Sequence, residues 1–344
     1  MLDLFKQLAA RADALQQRHG WLAFPLAVQR KASDDQVGSL AALMAYFGFL
    51  AIVPLLLVLA AVLGFVLASD PSLKAQVLHT AEGSFPSLAG YIDRAVRGSN
   101  TALGVGLAGA LWAGLGVTRA TERALDSIWD IPLHERPNLW WSRVRGLGML
   151  VVLGATFLGS TALASLRTVG GVFGVATDVV AVGGSVALNL ILFALAFQVL
   201  TNRHLAWRSI LPGATVGAFG WALLQNLGSF YVRREVAHAS QLYGSLAAVI
   251  GLLAWVYLGA RLTLYAAEVN AVLTYRLWPR SFGNTTTTPA DRRAYRLQAQ
   301  ATQRVASEQV HVEFAAPDHR GREATAGQEP PPPQLPPPDA RAPR

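Results

Sequence analysis

Two tyrosines, an arginine and a glutamate interrupt the apolar stretch from Gln241 to Leu273, and their types and spacing could do chemistry. Tyr257, Arg261, Tyr265 and Glu268 follow one another at spacings of four, four and three. In a helix this spacing places them on one face. An ionisable residue in a membrane helix costs about 2.5–3.5 kcal/mol, so such a face normally borders protein or water. The pattern predicts a polar substrate pathway. Snorkelling to the membrane interface, and for Glu268 an internal structural partner, stay open as alternatives.

Three amide side chains in neighbouring apolar stretches extend this candidate pathway. They are Asn189, Gln225 and Asn226. Amides within membrane helices commonly supply hydrogen bonds between helices, and that interpretation stays open beside a contact with substrate.

Small residues at regular spacing predict close helix packing in two other stretches. Gly106, Ala110 and Gly114 recur every four residues, and Gly213 and Gly217 repeat the spacing further along the chain. The stretch GVGLAG matches a dinucleotide-binding pattern, but that site needs a preceding strand, and here the pattern lies inside an apolar helix. Both sets are therefore predicted to pack helices against one another within the chain, and for Gly213 and Gly217 a dimer contact stays open as the alternative.

The elements that position these residues are membrane-spanning helices. The 344 residues are 52% hydrophobic and 15% charged, whereas soluble domains carry about 25% charged residues. We predict an all-α integral membrane protein: a bundle of six transmembrane helices with interfacial amphipathic helices and a disordered C-terminal tail. In the first span Pro54 is expected to kink the helix. The predicted spans are about 37–68, 101–117, 146–166, 179–200, 210–232 and 243–273.

Charge and composition outside the spans predict the remaining organisation. Residues 1–30 are predicted to hold an interfacial helix, residues 31–278 the transmembrane domain, and residues 279–344 a disordered, basic and proline-rich cytoplasmic tail. The net charge of +8 comes from basic residues that flank apolar segments. Their distribution predicts both termini in the cytoplasm, and it favours contacts with anionic lipid over nucleic acid. The absence of cysteine excludes disulfides and thiol chemistry.

No catalytic constellation is found in the sequence. The phosphate-binding loop, the G-x-S-x-G nucleophile motif and the H-E-x-x-H metal motif are all missing. Glu122, Asp126 and Asp130 are spaced by four, and we interpret them as a solvated, charge-paired helix face in preference to a metal site. The sequence therefore predicts no enzyme, no cofactor and no metal.

Four stretches resemble the YihY/virulence factor BrkB family of bacterial inner-membrane proteins, over roughly residues 35–275. They are AALMAYFGFLAIVPLLLVLAAVLG, ERALDSIWDIP, ILPGATVGAFGWALLQNLGSFYV and LYGSLAAVIGLLAWVYLGARLTLYAAEVNAVL. The chain departs from the family pattern at Arg261, where members commonly have an aliphatic or small residue. It also departs at Asp126, often Asn in the family, and at Ala267, often Gly.

The resemblance implies a helical bundle in the bacterial plasma membrane, with links to envelope integrity and to transport or flipping of lipid-like substrates. We therefore expect a transporter or lipid-handling protein that works without nucleotide hydrolysis. A non-transporting structural or assembly protein of the envelope is the alternative, and a ribonuclease label carried by the family finds no support in these residues. Expected partners are membrane lipids with anionic headgroups and a lipid-like or small-molecule substrate, with a homo-oligomer left open.

Overall fold

The computed structural model describes residues 20–68, 100–169, 175–203, 205–281 and 287–314, and in these ranges the secondary structure is helical with no strand. The all-α class is thereby confirmed. All the helices belong to one compact unit, Met1–Val312, and a second unit comprises Glu313–Arg344. The helices are α1 (Gly20–Asp34), α2 (Val37–Ala68), α3 (Asn100–Ile128), α4 (Leu139–Val169), α5 (Val175–Leu200), α6 (Trp207–Tyr275) and α7 (Pro289–Ala301).

Long apolar helices make up the bundle, as the composition predicts. The first predicted span coincides with α2, and the second, third and fourth lie within α3, α4 and α5. Within the described residues, three segments are long and apolar enough to cross a bilayer: Val37–Leu55, Gly183–Leu200 and Val249–Tyr275. Large apolar side chains such as Trp112 and Val151 are 65% and 72% exposed on outer faces of the bundle. Exposed apolar faces of this kind are compatible with contact with the hydrocarbon core of a bilayer.

The prediction of two separate helices at 210–232 and 243–273 is wrong in one respect, because α6 is continuous from Trp207 to Tyr275. Its two ends nevertheless pack together, since the Gly213 N–H donates to Asn270 Oδ1 at 2.6 Å and Trp221 lies against Gly259. A straight helix would separate residues 213 and 270 by about 85 Å. The helix therefore reverses direction between its first arm (residues 207–225) and its second arm (residues 249–275).

The chain at the reversal explains why no loop interrupts α6. The segment RREVAHASQL, residues 233–242, is polar and lies between the two predicted spans 210–232 and 243–273, a position typical of a loop. It nevertheless consists largely of good helix formers and contains no glycine or proline, so nothing in it ends a helix.

Helix α7 corrects the predicted domain boundary at residue 279. Thr288 caps this helix: its Oγ1 accepts from the Asp291 N–H at 3.1 Å, and Asp291 Oδ2 accepts from the Thr288 N–H at 3.0 Å. Ala294 of α7 is buried in an apolar cluster with Val28, Val272 and Leu277. The chain from 287 to 301 is thus folded onto the bundle. The proline-rich stretch, and the part of the predicted interfacial helix before residue 20, lie outside the described residues.

Candidate functional site

A buried lysine is the centre of a charged cluster at one end of the bundle. Lys31 in the last turns of α1 is 2% exposed, and its Nζ lies 2.6 Å from Asp35 Oδ2 and 3.2 Å from Asp130 Oδ2. Asp35 follows one helical turn after Lys31, just before α2 begins. Asp130 follows the end of α3 and has a left-handed backbone, with φ of 50°. The lysine thereby joins α1, the start of α2 and the end of α3.

Glu268 completes the cluster from the second arm of α6. Its side chain is fully buried, and neither carboxylate oxygen has a hydrogen-bond donor within the described part of the chain. The charged groups that act on it are Lys31, Asp35 and Asp130. Three buried carboxyl groups therefore surround one buried ammonium group. We call Lys31, Asp35, Asp130 and Glu268 the lysine cluster.

The ionisation of the lysine cluster follows from burial and from its mutual attractions. Burial disfavours the charge on Lys31, but the carboxylates of Glu268, Asp35 and Asp130 outweigh it, and the pKa of Lys31 is raised above its ordinary value. Burial also raises the pKa of Asp130 to about 6, although Lys31 opposes this shift. A carboxyl group of the cluster can therefore exchange a proton near neutral pH, while the lysine stays charged.

Helix α7 and the segment before it close over the lysine cluster. Arg280 donates from Nε to Asp291 Oδ1 at 3.0 Å, and its Nη1 lies 2.8 Å from Asp34 Oδ2. Burial disfavours the ionised form of Asp291, but hydrogen bonds from the Ser281 and Thr288 backbones and from Arg280 outweigh it and hold its pKa below the ordinary value. The Gln298 amide of α7 donates to Asp35 Oδ1 at 3.3 Å.

A cavity of about 360 Å³ borders the lysine cluster on this side. Its polar lining includes Asp34, Asp35, Asp130, Arg136 and Gln298. Two members of the cluster thus reach a space that can hold water, while Glu268 lies behind them. The fully buried carboxyl group of Glu268 is not among the residues that line this cavity.

The acidic residues Glu122 and Asp126 form a second polar network beside the cluster. Asn202, which follows α5, donates its Nδ2 to Asp126 Oδ2 at 2.7 Å and its backbone N–H to Asp126 Oδ1 at 3.2 Å. Ser142 Oγ donates to Glu122. Burial raises the pKa of Asp126 to about 6, against the hydrogen bonds from Asn202.

The expectation of a solvated face at Glu122, Asp126 and Asp130 is therefore wrong. All three side chains are at most 7% exposed, and their partners come from other segments of the chain. The spacing of four correctly places them on one side of α3 and its extension, but it does not reveal that this side is covered. No group of three metal-ligating side chains is found among the described residues.

The four residues predicted from the second arm of α6 fall into two environments. Arg261 is exposed; its Nη2 lies 3.4 Å from the Tyr265 hydroxyl, and its guanidinium stands 5.5 Å from the centre of that ring. The Tyr265 hydroxyl donates to Gln29 Oε1 of α1 at 2.8 Å. Tyr257 is half-buried. The tyrosines and Arg261 thus line the outer part of the arm, whereas Glu268 lies deep in the lysine cluster.

The predicted amide residues do not join this group through any contact of the described side chains. Asn189 donates to the Ser185 carbonyl of its own helix at 2.9 Å. Gln225 is exposed at the end of the first arm, and the side chain of Asn226 lies outside the described residues. Their role in a substrate pathway remains a prediction.

The small residues and Pro54 lie at helix contacts or in the interior. Gly106 is buried and Ala110 is half-buried. A side chain added at any of the three remaining glycines would meet a neighbour: Gly114 faces Leu150, Gly213 faces Asn270, and Gly217 faces Phe193. Pro54 of α2 lies against Gly109 of α3.

Sequence reasoning missed Lys31, Asp35 and Asn202 as site residues. One signal was available, because Lys31 is one of three lysines in a chain whose other basic residues are arginines and histidines. Its position between an amphipathic helix and the first span indicated an interface, where a lysine is ordinary. Its burial depends on tertiary packing that brings Asp130 and Glu268 around it.

Comparisons with known proteins agree on a membrane family. A family model described as virulence factor BrkB matches residues 28–289. The inner membrane protein YhjD of Escherichia coli is 27% identical over 300 residues, which are 78% of this chain and 86% of YhjD. The ribonuclease-like protein YfkH of Bacillus subtilis is 27% identical over 246 residues, 68% of this chain and 88% of YfkH. A UPF0761 membrane protein of Nitrosospira multiformis is 28% identical over 193 residues, 52% of this chain and 42% of that protein. No solved structure matches the chain.

Proposed function

Because the chain belongs to the virulence factor BrkB family, whose relatives include inner-membrane proteins, we propose that it is a transporter or lipid-handling protein of the bacterial inner membrane. The observation that carries the proposal is Glu268, a fully buried carboxyl group on a helix apolar enough to span the membrane. Ionisable residues at such positions commonly belong to ion or substrate pathways. No nucleotide is required, since the sequence has no phosphate-binding loop.

The lysine cluster provides a way to couple protons to movement. One ammonium group balances one carboxylate, and the remaining carboxyl groups are stabilised in the dry interior when they bind protons. Protonation therefore changes how strongly Lys31 attracts Asp130, which directly follows α3, and Glu268, which belongs to α6. A change of charge at one site that alters the packing of two helices is the element that a proton-coupled transporter needs.

The proposed membrane arrangement has six crossings. The first four are α2, α3, α4 and α5, and the arms of α6 supply the fifth and sixth. The lysine cluster lies at the end of the bundle where basic residues concentrate, so this end and both termini are assigned to the cytoplasm. In this orientation the cluster takes protons from the cytoplasmic side.

A structural role in the envelope is the alternative, and one observation favours it. Lys31, Asp35 and Asp130 form short ion pairs that fasten α1 to the bundle, and Arg280 fastens α7 through Asp34 and Asp291. A rigid clamp of this kind serves a scaffold as well as a transporter. The two functions differ in whether neutralising Glu268 stops activity or only weakens the fold.

Complementation of a strain that lacks the gene separates the two functions. Glu268→Gln and Arg261→Leu are compared with wild type at matched membrane levels, and extracted lipids are analysed in parallel. Glu135→Gln serves as the matched control, since Glu135 is exposed and outside the cluster. The proposal predicts that Glu268→Gln fails, that the lipid or metabolite seen in the deletion strain accumulates again, and that Glu135→Gln complements. Full complementation by Glu268→Gln would favour the scaffold.

A further inference from the structure

We propose that a groove on the outer face of α2, α3 and α4 binds one anionic phospholipid. The groove holds about 590 Å³ and is separate from the lysine cluster. Three arginines occupy one part of it: Arg119, Arg123 and Arg143. Apolar side chains form the rest of its wall, and they are Leu43, Phe47, Trp112 and Leu115.

The three arginines converge from two helices. Arg119 and Arg123 are four residues apart on α3, so they lie on one face. Arg143 lies in the first turns of α4. This helix runs antiparallel to α3, because Gly146 lies against Thr118 whereas Leu150, one turn later on α4, lies against Gly114, one turn earlier on α3. None of the three arginines forms an ion pair with a carboxylate in the described part of the chain, so a cluster of positive charge remains open.

Arg119 supplies the second observation, because its donors lack an acceptor. Its Nε and Nη2 atoms are buried, and neither has a hydrogen-bond partner among the described residues. Buried guanidinium donors are normally satisfied, and a phosphate group accepts them in a bidentate geometry. Glu122, three residues further along, accepts hydrogen bonds from Ser142 and Asn202 and does not accept one from Arg119.

The apolar wall indicates that the phosphate belongs to a lipid. Trp112 is 65% exposed and Leu43 is 38% exposed, so both can contact an acyl chain. Leu43 lies about 9 Å along α2 from Val37, where the first span begins, which places the arginines close to headgroup depth. Gly116 allows the Phe47 ring to pack directly against α3, since a side chain there would collide with the ring, so this part of the wall is apolar.

The charge and shape together favour an anionic phospholipid over a free phosphate or a zwitterionic lipid. Arginines bind the phosphate, and none of the described residues that line the groove is a carboxylate that would attract a choline or ethanolamine group. Binding here goes beyond the proposed function, because it requires neither movement of the lipid nor the lysine cluster. The Glu268→Gln variant should bind the lipid as wild type does even where it has lost activity, so the two proposals can fail separately.

Quenching of Trp112 fluorescence tests the groove directly. The full chain is placed in phosphatidylcholine nanodiscs that contain increasing fractions of phosphatidylglycerol with brominated acyl chains. The Trp112 signal is the difference between the protein and its Trp112→Phe variant. We expect saturable quenching at low mole fractions of the brominated lipid. Either Arg119→Gln or Arg143→Gln should raise the half-saturating fraction on the order of tenfold, as loss of a charge-assisted hydrogen bond predicts.

Control experiments distinguish an anionic phospholipid from a zwitterionic lipid or a soluble phosphate in the groove. Arg208→Gln removes an exposed arginine at the same end of the bundle, outside the groove, and should leave quenching as in wild type. Brominated phosphatidylcholine that quenches equally well would overturn the assignment, and so would unchanged binding in a folded Arg143→Gln protein. Displacement of the lipid by millimolar glycerophosphate would show a soluble phosphate site in its place. Thermal unfolding of each variant confirms that the comparison is between folded proteins.

Discussion

Replacing Lys31 with methionine should destabilise the protein by about 4 kcal/mol at pH 7. The side chain keeps its length but loses the ammonium group that lies 2.6 Å from Asp35 and 3.2 Å from Asp130. Breaking a buried ion pair by removing one partner costs about 3–5 kcal/mol, and Lys31 is only 2% exposed, so solvent screens little of it. The protein can limit the loss by protonating a carboxyl group. From an ordinary pKa near 4, that protonation costs about 4 kcal/mol at pH 7.

Because protonation of a carboxyl group limits the destabilisation of Lys31→Met, that destabilisation depends on pH. The folded variant holds a proton that the unfolded chain does not, so the variant gains stability relative to wild type as the pH falls from 7 towards 5, by up to about 1.4 kcal/mol per pH unit. Unfolding in mixed micelles at pH 7 and pH 5 measures the effect, with Arg208→Met as the control for loss of a cation. Adding Asp130→Asn to Lys31→Met should recover part of the loss. Equal destabilisation at both pH values, or none at pH 7, would refute the claim that the Lys31 ammonium group stabilises the buried carboxyl groups of the lysine cluster.

Two further predictions concern packing and the second polar network. Gly213→Ala should destabilise the contact between the arms of α6 by about 1–3 kcal/mol, because the new methyl group would collide with the Ala266 backbone carbonyl and with Asn270. Gly148→Ala meets nothing within 4 Å and should be neutral or stabilising; thermal unfolding of the pair checks this, and equal midpoints would contradict the close approach. Asp126→Asn should remove part of the stability that wild type gains as the pH falls from about 6 to 4, because the pKa of Asp126 is raised by burial from 3.8 to about 6 and its folded form takes up a proton first. An unchanged pH profile of unfolding would show that Asp126 does not titrate in this range.

The sequence predicts the helical class and the family because both depend on long, local patterns. The uncharged stretch Val37–Ala68 is α2 from end to end, and the resemblance to the BrkB family is confirmed by a match over residues 28–289. The reversal within α6 was placed correctly between two arms, but the prediction of a loop there failed. Polarity indicates where a chain leaves the bilayer, whereas helix propensity determines whether the backbone stays helical as it turns.

The site was harder to predict because it depends on contacts between distant segments. Glu268 was identified from its own helix, since a charge in an apolar stretch is visible locally. Lys31 and Asp35 look like ordinary residues at a helix end. Their surroundings include residues more than 240 positions away: Gln298 donates to Asp35, and Arg280 pairs with the neighbouring Asp34. The expectation of a disordered chain from residue 279 hid those partners. Composition does not reveal that a short capped helix such as α7 folds onto a bundle.

Lipid movement in reconstituted vesicles tests the central claim, that Glu268 in the lysine cluster is a working part of a transporter. Purified wild type, Glu268→Gln and the exposed control Glu135→Gln are reconstituted at equal density into vesicles that contain a fluorescent anionic phospholipid, with a pH gradient across the membrane. Reduction of the fluorophore from outside then measures how fast lipid crosses. We expect wild type and Glu135→Gln to move lipid in a gradient-dependent manner, and Glu268→Gln to reduce the rate to that of protein-free vesicles. Equal rates for wild type and a folded Glu268→Gln protein would contradict the central claim.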